Sequence, residues 1–156
     1  HLYQHLGELH IVYIQRPEYD GVHSKQISFP GGKAEVDDKS ILDTALREAK
    51  EEVNIEPSKI EILGGLTELY IPPSNFLVQP FVSFQQGRPS FIPDDREVGQ
   101  IMEVRLNSLI NQDLSDYNVI TASNTISVKG FLIEDQVLWG ASAMITRELL
   151  DVCSNL

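Results

Sequence analysis

The spacing of apolar and polar positions predicts a strand-rich chain interrupted by two long helices. Residues 9–14 (LHIVYI) are apolar and β-branched, and read as a strand. Residues 26–29 (QISF) read as a short strand closed by Pro30-Gly31-Gly32, with residues 33–36 as another short strand. Residues 60–69 and 75–84 read as strands, and Pro80 within the second marks an edge or a bulge. Residues 97–105 alternate as a strand does, residues 106–111 suit a short helix, and residues 125–132 and 136–139 suit strands around a turn.

Two segments change to helical period. In residues 40–53, Leu42, Leu46, Ala49 and Val53 form one stripe, Ser40 is the N-cap, and Asp43 follows three residues later, close to a capping box. Residues 140–152 place Ala143, Ile145, Leu149 and Val152 at apolar positions. Strands outnumbering two separated helices, without regular βαβ alternation, predict an α+β fold: an α/β/α sandwich with a mixed sheet. No repeat, low-complexity tract or linker divides the 156 residues, so one domain over residues 1–156 is expected. That length buries a core without disulfide or metal staples.

Charge narrows the function. A formal charge of −11 speaks against nucleic acid and anionic membranes, which both want basic patches. No apolar run approaches the roughly 20 residues of a membrane span, and the start shows no signal-peptide pattern. The lone Cys153 has no internal disulfide partner, which fits a reducing cytoplasm. The same charge opposes a phosphate-bearing substrate, unless carboxylates load divalent cations that become the largest local charges.

Such carboxylates are present. Glu48 and Glu52 are four apart and stack on one helix face, while Glu51 lies on the other side of Glu48, away from the apolar stripe. Three carboxylates are therefore expected on one exposed helix edge. Like charges at i,i+4 cost about 0.2–0.5 kcal/mol per pair. Carboxylates near a helix C-terminus cost about 0.3–1 kcal/mol each. A hard divalent cation reverses both signs. A solvated acidic face, with Arg47 and Lys50 trading surface ion pairs, accounts for REAKEE alone but leaves the upstream Pro-Gly-Gly loop unexplained. Glycines there permit positive φ and close backbone approach to a ligand.

Residues 29–55 resemble the Nudix box, G-x5-E-x7-R-E-U-x-E-E-x-G-U, through Gly32, Arg47, Glu48, Ala49, Glu51, Glu52 and Ile55. Asp38 stands where the pattern has Glu, the gap from Asp38 to Arg47 is one residue longer, and Asn54 replaces Gly. Asn tolerates the left-handed conformation of a helix C-terminus. The longer gap is similar to the coenzyme A pyrophosphatase branch, whose box reads GGxxDxxDxSxxxTALREAxEE. Gly31, Gly32, Asp38, Ser40, Thr44, Ala45, Leu46, Arg47, Glu48, Ala49, Glu51 and Glu52 agree with it. The branch's upstream motif is matched by Arg16, His23, Gln26, Ser28, Phe29 and Pro30, whereas Gly21 and Lys25 stand where the branch has Arg and Gly. The similarity continues through LYIPPSNFLVQPFV and VLWGASAMI. The branch has one more strand before residue 1 and the chain lacks an initiating Met, so a truncated N-terminus is expected.

The resemblance implies a mixed β-sheet flanked by helices. It also implies Mg²⁺- or Mn²⁺-dependent hydrolysis of the pyrophosphate bond of coenzyme A or its acyl derivatives. It implies metal ligands at Glu48, Glu52 and Glu51, with the Gly32 carbonyl as a further oxygen. Arg47 is expected to hold the glutamates in orientation. Glu97 is the candidate base for the attacking water, with Asp94, Asp95 and Glu103 as rivals, and Glu51 and Arg47 stand with it as catalytic residues. Arg16, Lys25 and His23 are expected to face substrate phosphates, although His23 taken alone reads first as a structural hydrogen-bonder.

Tyr70 and Phe76 suit either base stacking or the core. Trp139 suits core packing at the start of the second helix. His1, His5 and His10 lack metal-ligand spacing, and Cys153 has no partner for nucleophilic work. A small nucleoside diphosphate derivative is thus the expected partner, and pairing with a second copy stays open. ADP-ribose or a dinucleotide is the runner-up substrate. A silent nucleotide-sensing module would be marked by loss of a metal glutamate, and all three are present. A plain interaction domain leaves the box spacing as coincidence.

Overall fold

The computed structural model describes residues 1–17, 26–121 and 124–154. In chain order the first elements are β1 (Leu2–His5), β2 (Glu8–Gln15), β3 (Ile27–Ser28), α1 (Ile41–Val53), β4 (Glu61–Gly65), β5 (Leu69–Ile71) and β6 (Phe76–Val78). Then follow β7 (Phe81–Gln86), β8 (Gln100–Arg105), α2 (Leu106–Ile110), β9 (Ser115–Ile120), β10 (Thr125–Ile133), β11 (Gln136–Trp139) and α3 (Gly140–Ser154). A single 3-10 turn, Pro57–Lys59, links α1 to β4.

β2 organises the main sheet. It pairs antiparallel with β1, β3 and β8; β1 pairs parallel with β7, and β7 antiparallel with β4. The sheet is mixed, as expected. Strand alternation splits β2 between two cores. Ile11 and Tyr13 join Met102, Val104, Leu109, Phe131 and Leu150 beside α2 and α3. Ile14 joins Val53, Ile55 and Val98 beside α1, with Ala49 packed against them. Helices therefore lie on both faces of the sheet, an α/β/α arrangement. Within the first core, the buried Tyr13 hydroxyl and Thr146 Oγ1 satisfy each other at 2.9 Å.

α1 starts where its sequence says. Ser40 Oγ accepts from the Asp43 backbone N–H at 3.1 Å, and Asn54 ends the helix in the left-handed conformation with φ 59°.

Several expectations fail for local reasons. Residues 33–36 are not a strand: the Lys33 carbonyl and the Glu35 N–H are taken by the Arg47 and Asp38 side chains, and Val36 is fully exposed. Local side-chain bonds here outcompete a ladder. The strand expected over residues 60–69 stops at Gly65, past a register shift between Ile62 and Gly64, and a separate β5 follows. That expected over residues 75–84 breaks at Gln79-Pro80, where Pro80 has no N–H to donate and its carbonyl accepts from Leu66. Residues 97–99 lie ahead of β8 rather than in it. Trp139 ends β11 instead of opening α3, and Val152 is exposed while Ala143, Ile145 and Leu149 are buried.

Candidate active site

The Pro-Gly-Gly loop is fastened to α1 residue by residue. The Gly31 N–H donates to Glu52 Oε2 at 2.8 Å. Gly32 lies so close to Glu48 that an added Cβ would stand 2.3 Å from Oε1, so only glycine leaves the carboxylate its place. The Lys33 carbonyl accepts from Arg47 Nη2 at 3.0 Å.

Arg47 holds four partners with one planar fork. Its Nε and Nη2 donate to the two oxygens of Asp38 at 3.1 and 3.0 Å, and Nη1 donates to Glu48 Oε1 and Glu51 Oε2, each at 3.0 Å. The Arg47 guanidinium, with a backbone N–H and the Thr44 hydroxyl, holds the Asp38 carboxyl well below its ordinary range. Asp38, visible in the sequence only as an unusual box acid, is the anchor that aims Arg47.

A second loop closes over the C-terminal end of α1. The Asp94 N–H donates to the Glu52 carbonyl at 3.0 Å, the Ile92 N–H to the Val53 carbonyl at 3.4 Å, and Asn54 Nδ2 to the Ser90 carbonyl at 2.9 Å. These bonds satisfy carbonyls that a helix end leaves open. They also bring Glu97, in the turn ahead of β8, onto the helix. One carboxylate oxygen from each of Glu48, Glu52 and Glu97 falls within 4.8 Å of the others. Glu51 lines the same cleft, of about 280 Å³, with its carboxylate on Arg47.

The helix edge expected to be exposed is therefore partly closed. Glu52 is only 4% exposed, because loops 31–33 and 91–98 cover it. Burial pushes its carboxyl up to about 7; the Gly31 N–H opposes that shift, Glu48 adds to it, Arg16 opposes it and Glu97 adds to it. The fit to a divalent cation rests on this donor set. Three hard oxygens converge, and the span they show is near the roughly 4.2 Å across an octahedral shell of about 2.1 Å bonds. A bound cation would add to the Gly31 N–H and Arg16 in stabilising this buried carboxylate as an anion.

The rival bases separate by their partners. Asp94 is held low by the Arg96 side chain and backbone, which makes it a poor proton acceptor. Glu103 accepts from the Tyr3 hydroxyl and from Arg88 Nε at 2.7 Å, and neither it nor Asp95 lines the cleft. Arg16 is exposed and acts electrostatically on Glu52, while Lys25, His23 and Gly21 lie outside the described residues. Tyr70 and Phe76 are not core residues: they are 54% and 39% exposed on the β5–β6 hairpin. His1 and His10 bond Ser83 and the Glu8 carbonyl, away from the cleft, and burial raises the Cys153 thiol. A larger apolar groove of about 850 Å³, between α3 and β10, is lined by Val128, Trp139, Ala143 and Met144, and its carboxylates Glu148 and Asp151 are bonded to Thr67 and Arg147. Among the described residues no helix is long and apolar enough to cross a membrane.

Comparison with known proteins agrees with the box. A family model described as NUDIX domain matches residues 3–121. A Yersinia pestis protein named "Uncharacterized Nudix hydrolase NudL" is 36% identical over 138 residues, 86% of this chain and 68% of that protein. Its Yersinia pseudotuberculosis counterpart matches equally. Among solved structures, the M. smegmatis Nudix hydrolase RenU superposes with TM-score 0.69 at 11% identity, over 99% of this chain and 82% of that one. A C. elegans Ap4A hydrolase in a binary complex gives 0.59 at 16% identity, over 70% and 78% of the two chains. The NUDIX domain of Shewanella oneidensis NrtR, complexed with ADP ribose, gives 0.53 at 17% identity, over 73% of each chain.

Proposed function

The chain belongs to the Nudix hydrolase family, enzymes that act on phosphoric anhydride bonds, and from that premise we propose that it cleaves the pyrophosphate link of coenzyme A or an acyl derivative with Mg²⁺ or Mn²⁺. The observation that carries the chemistry is the convergence of Glu48, Glu52 and Glu97 in a cleft walled by the Pro-Gly-Gly loop. The observation that favours coenzyme A is the box spacing from Gly31 to Glu52 together with HSKQISFPGG.

In this proposal Glu48 and Glu52 hold the cation, with the Gly32 carbonyl as a further oxygen. When bound, the cation neutralises phosphate oxygens and acidifies water in its shell. Arg47 is a positioning residue: its bonds to Glu48 and Glu51 keep both carboxylates aimed while Asp38 keeps the guanidinium aimed. Glu97, exposed at the cleft mouth, accepts the proton of the attacking water. Glu51 is the further carboxylate available at that wall. The water oxygen bonds to phosphorus, the bridging P–O bond breaks in line, and the other phosphate leaves. Coenzyme A then yields 4′-phosphopantetheine and adenosine 3′,5′-bisphosphate. Arg16, with Lys25 and His23 from the upstream motif, is assigned to substrate phosphates.

The test is a panel of coenzyme A, dephospho-coenzyme A, ADP-ribose, a dinucleoside polyphosphate and nucleoside triphosphates, with products identified by mass. Coenzyme A is expected to be cleaved to the two named products. A modest preference over dephospho-coenzyme A is expected, and it should shrink in Lys25→Ala. Cleavage of ADP-ribose with neither coenzyme A form would remove the branch assignment and leave anhydride hydrolysis standing.

A further inference from the structure

One lysine at the cleft rim forms no ion pair or side-chain hydrogen bond among the described residues, in a chain with 23 acidic residues. Three neighbouring cations are engaged in ion pairs, Arg47 with Asp38, Glu48 and Glu51, Arg96 with Asp94, and Lys50 with Glu56, and Arg16 acts electrostatically on Glu52. Lys33 differs. Its backbone is fixed to α1 through its carbonyl, next to Gly32 against Glu48, and its ammonium lies 5.0 Å from the centroid of the Phe76 ring.

Phe76 is placed to be met from that side. The hairpin register Ile71↔Phe76 and Leu69↔Val78 puts these four side chains on one face, and Tyr70 and Leu77 on the other. Phe76 is thus the hairpin aromatic facing Lys33, and it keeps 39% of its surface exposed. The turn before it is held by the Tyr70 hydroxyl donating to Asn75 Oδ1 at 2.9 Å, with Asn75 at φ 55°. A rigid backbone on one side and a braced hairpin on the other bracket an open aromatic face and an unpaired cation.

Resting on the pyrophosphohydrolase reading above, we propose that Lys33 and Phe76 form the nucleoside subsite: the ring stacks on the nucleobase and the ammonium binds the nucleoside-side phosphate. An exposed cation–π contact is weak, whereas an ammonium-to-phosphate hydrogen bond is charge-assisted, so a bound nucleotide takes Lys33 off the ring and frees that face for the base. Ring stacking accepts any base, so the subsite selects for having a base more than for which base. The Phe76 ring does not touch the reacting anhydride, so it acts on KM and leaves kcat in place, whereas Lys33, on one phosphate of that anhydride, acts on both.

The experiment is calorimetric titration of adenosine 5′-monophosphate and of ribose 5-phosphate, which lacks the base, into wild type, Phe76→Leu and Lys33→Ala. KM for the cleaved substrate is measured in parallel. Wild type is expected to prefer the nucleotide by roughly tenfold, within the range of base–aromatic stacking. Phe76→Leu should lose that preference with ribose 5-phosphate unchanged. Lys33→Ala should weaken both ligands about tenfold, as loss of one charge-assisted bond does. Phe76→Trp and Lys33→Arg should restore wild-type behaviour. Unchanged affinities and KM in both Phe76→Leu and Lys33→Ala, with wild type cleaving its substrate, overturn the subsite and leave the anhydride chemistry intact. A wild type that cleaves no member of the substrate panel overturns the pyrophosphohydrolase reading, and the subsite with it.

Discussion

At the scale of single residues, Glu52 and Gly32 give opposite signatures of function and stability. The carboxyl of Glu52 sits at about 7 in the metal-free fold against an ordinary 4.5. The folded protein therefore binds that proton more tightly than the unfolded chain does. Its stabilisation is complete below about pH 4.5 and is lost as pH rises through about 7. At most about 3 kcal/mol is involved. The metal-free melting temperature should thus fall by several degrees between pH 5 and pH 8, and Glu52→Gln should flatten that slope while abolishing most turnover. A thermal melt series in chelator checks it; an equal slope in Glu52→Gln would take the effect away from this residue. Gly32→Ala behaves differently. The added Cβ meets the tip of the Glu48 side chain, which swings aside at small steric cost. The melting temperature is expected to hold within a few degrees while turnover drops by an order of magnitude or more, measured on the same preparation.

At the scale of elements, the site is one helix with two loops tied to it. Arg47→Lys keeps a charge but loses the fork that bridges Asp38, Glu48, Glu51 and the Lys33 carbonyl. Metal affinity, read by manganese titration, should weaken roughly 10–100-fold, as for other outer groups that orient ligands. Glu97→Gln should cost roughly 10²–10⁴ in kcat. A small effect there, with a large one at Asp94, would move the base to the residue that Arg96 now holds. The helix half of this site was legible in sequence, because Leu46, Ala49 and Val53 fix the buried side and the glutamates follow from 3.6-residue spacing. The loop half was legible only in part. Glu97 stood out by charge and position, but nothing local says that Asp94 reaches the Glu52 carbonyl. The burial of Glu52 was hidden for the same reason, since the covering loops come from chain segments far apart. Lys33 passed as strand material because its carbonyl is claimed by a side chain 14 residues away.

At the scale of the whole molecule, the unbroken apolar run along β2 is what a strand buried on both faces requires, and the strands that escaped are short or mostly exposed. β1 is four residues long, and β9 (SDYNVI) is mostly exposed; each is a strand because a neighbour supplies the ladder. The mixed sheet holds α1 on one face, and the sequence, the family match and the fold of RenU agree on that plan. Chelation should leave the fold standing, since neither core includes Glu48, Glu52 or Glu97. The central claim is that Glu48 and Glu52 hold the cation on which anhydride cleavage depends. It is tested most directly by the cleavage rate as a function of free Mg²⁺ in wild type and Glu52→Gln. The expected result is no turnover in excess chelator, a saturable rise with Mg²⁺ in wild type, and a rate lower by orders of magnitude in Glu52→Gln. Full turnover in chelator, or a wild-type Mg²⁺ curve in Glu52→Gln, would contradict it.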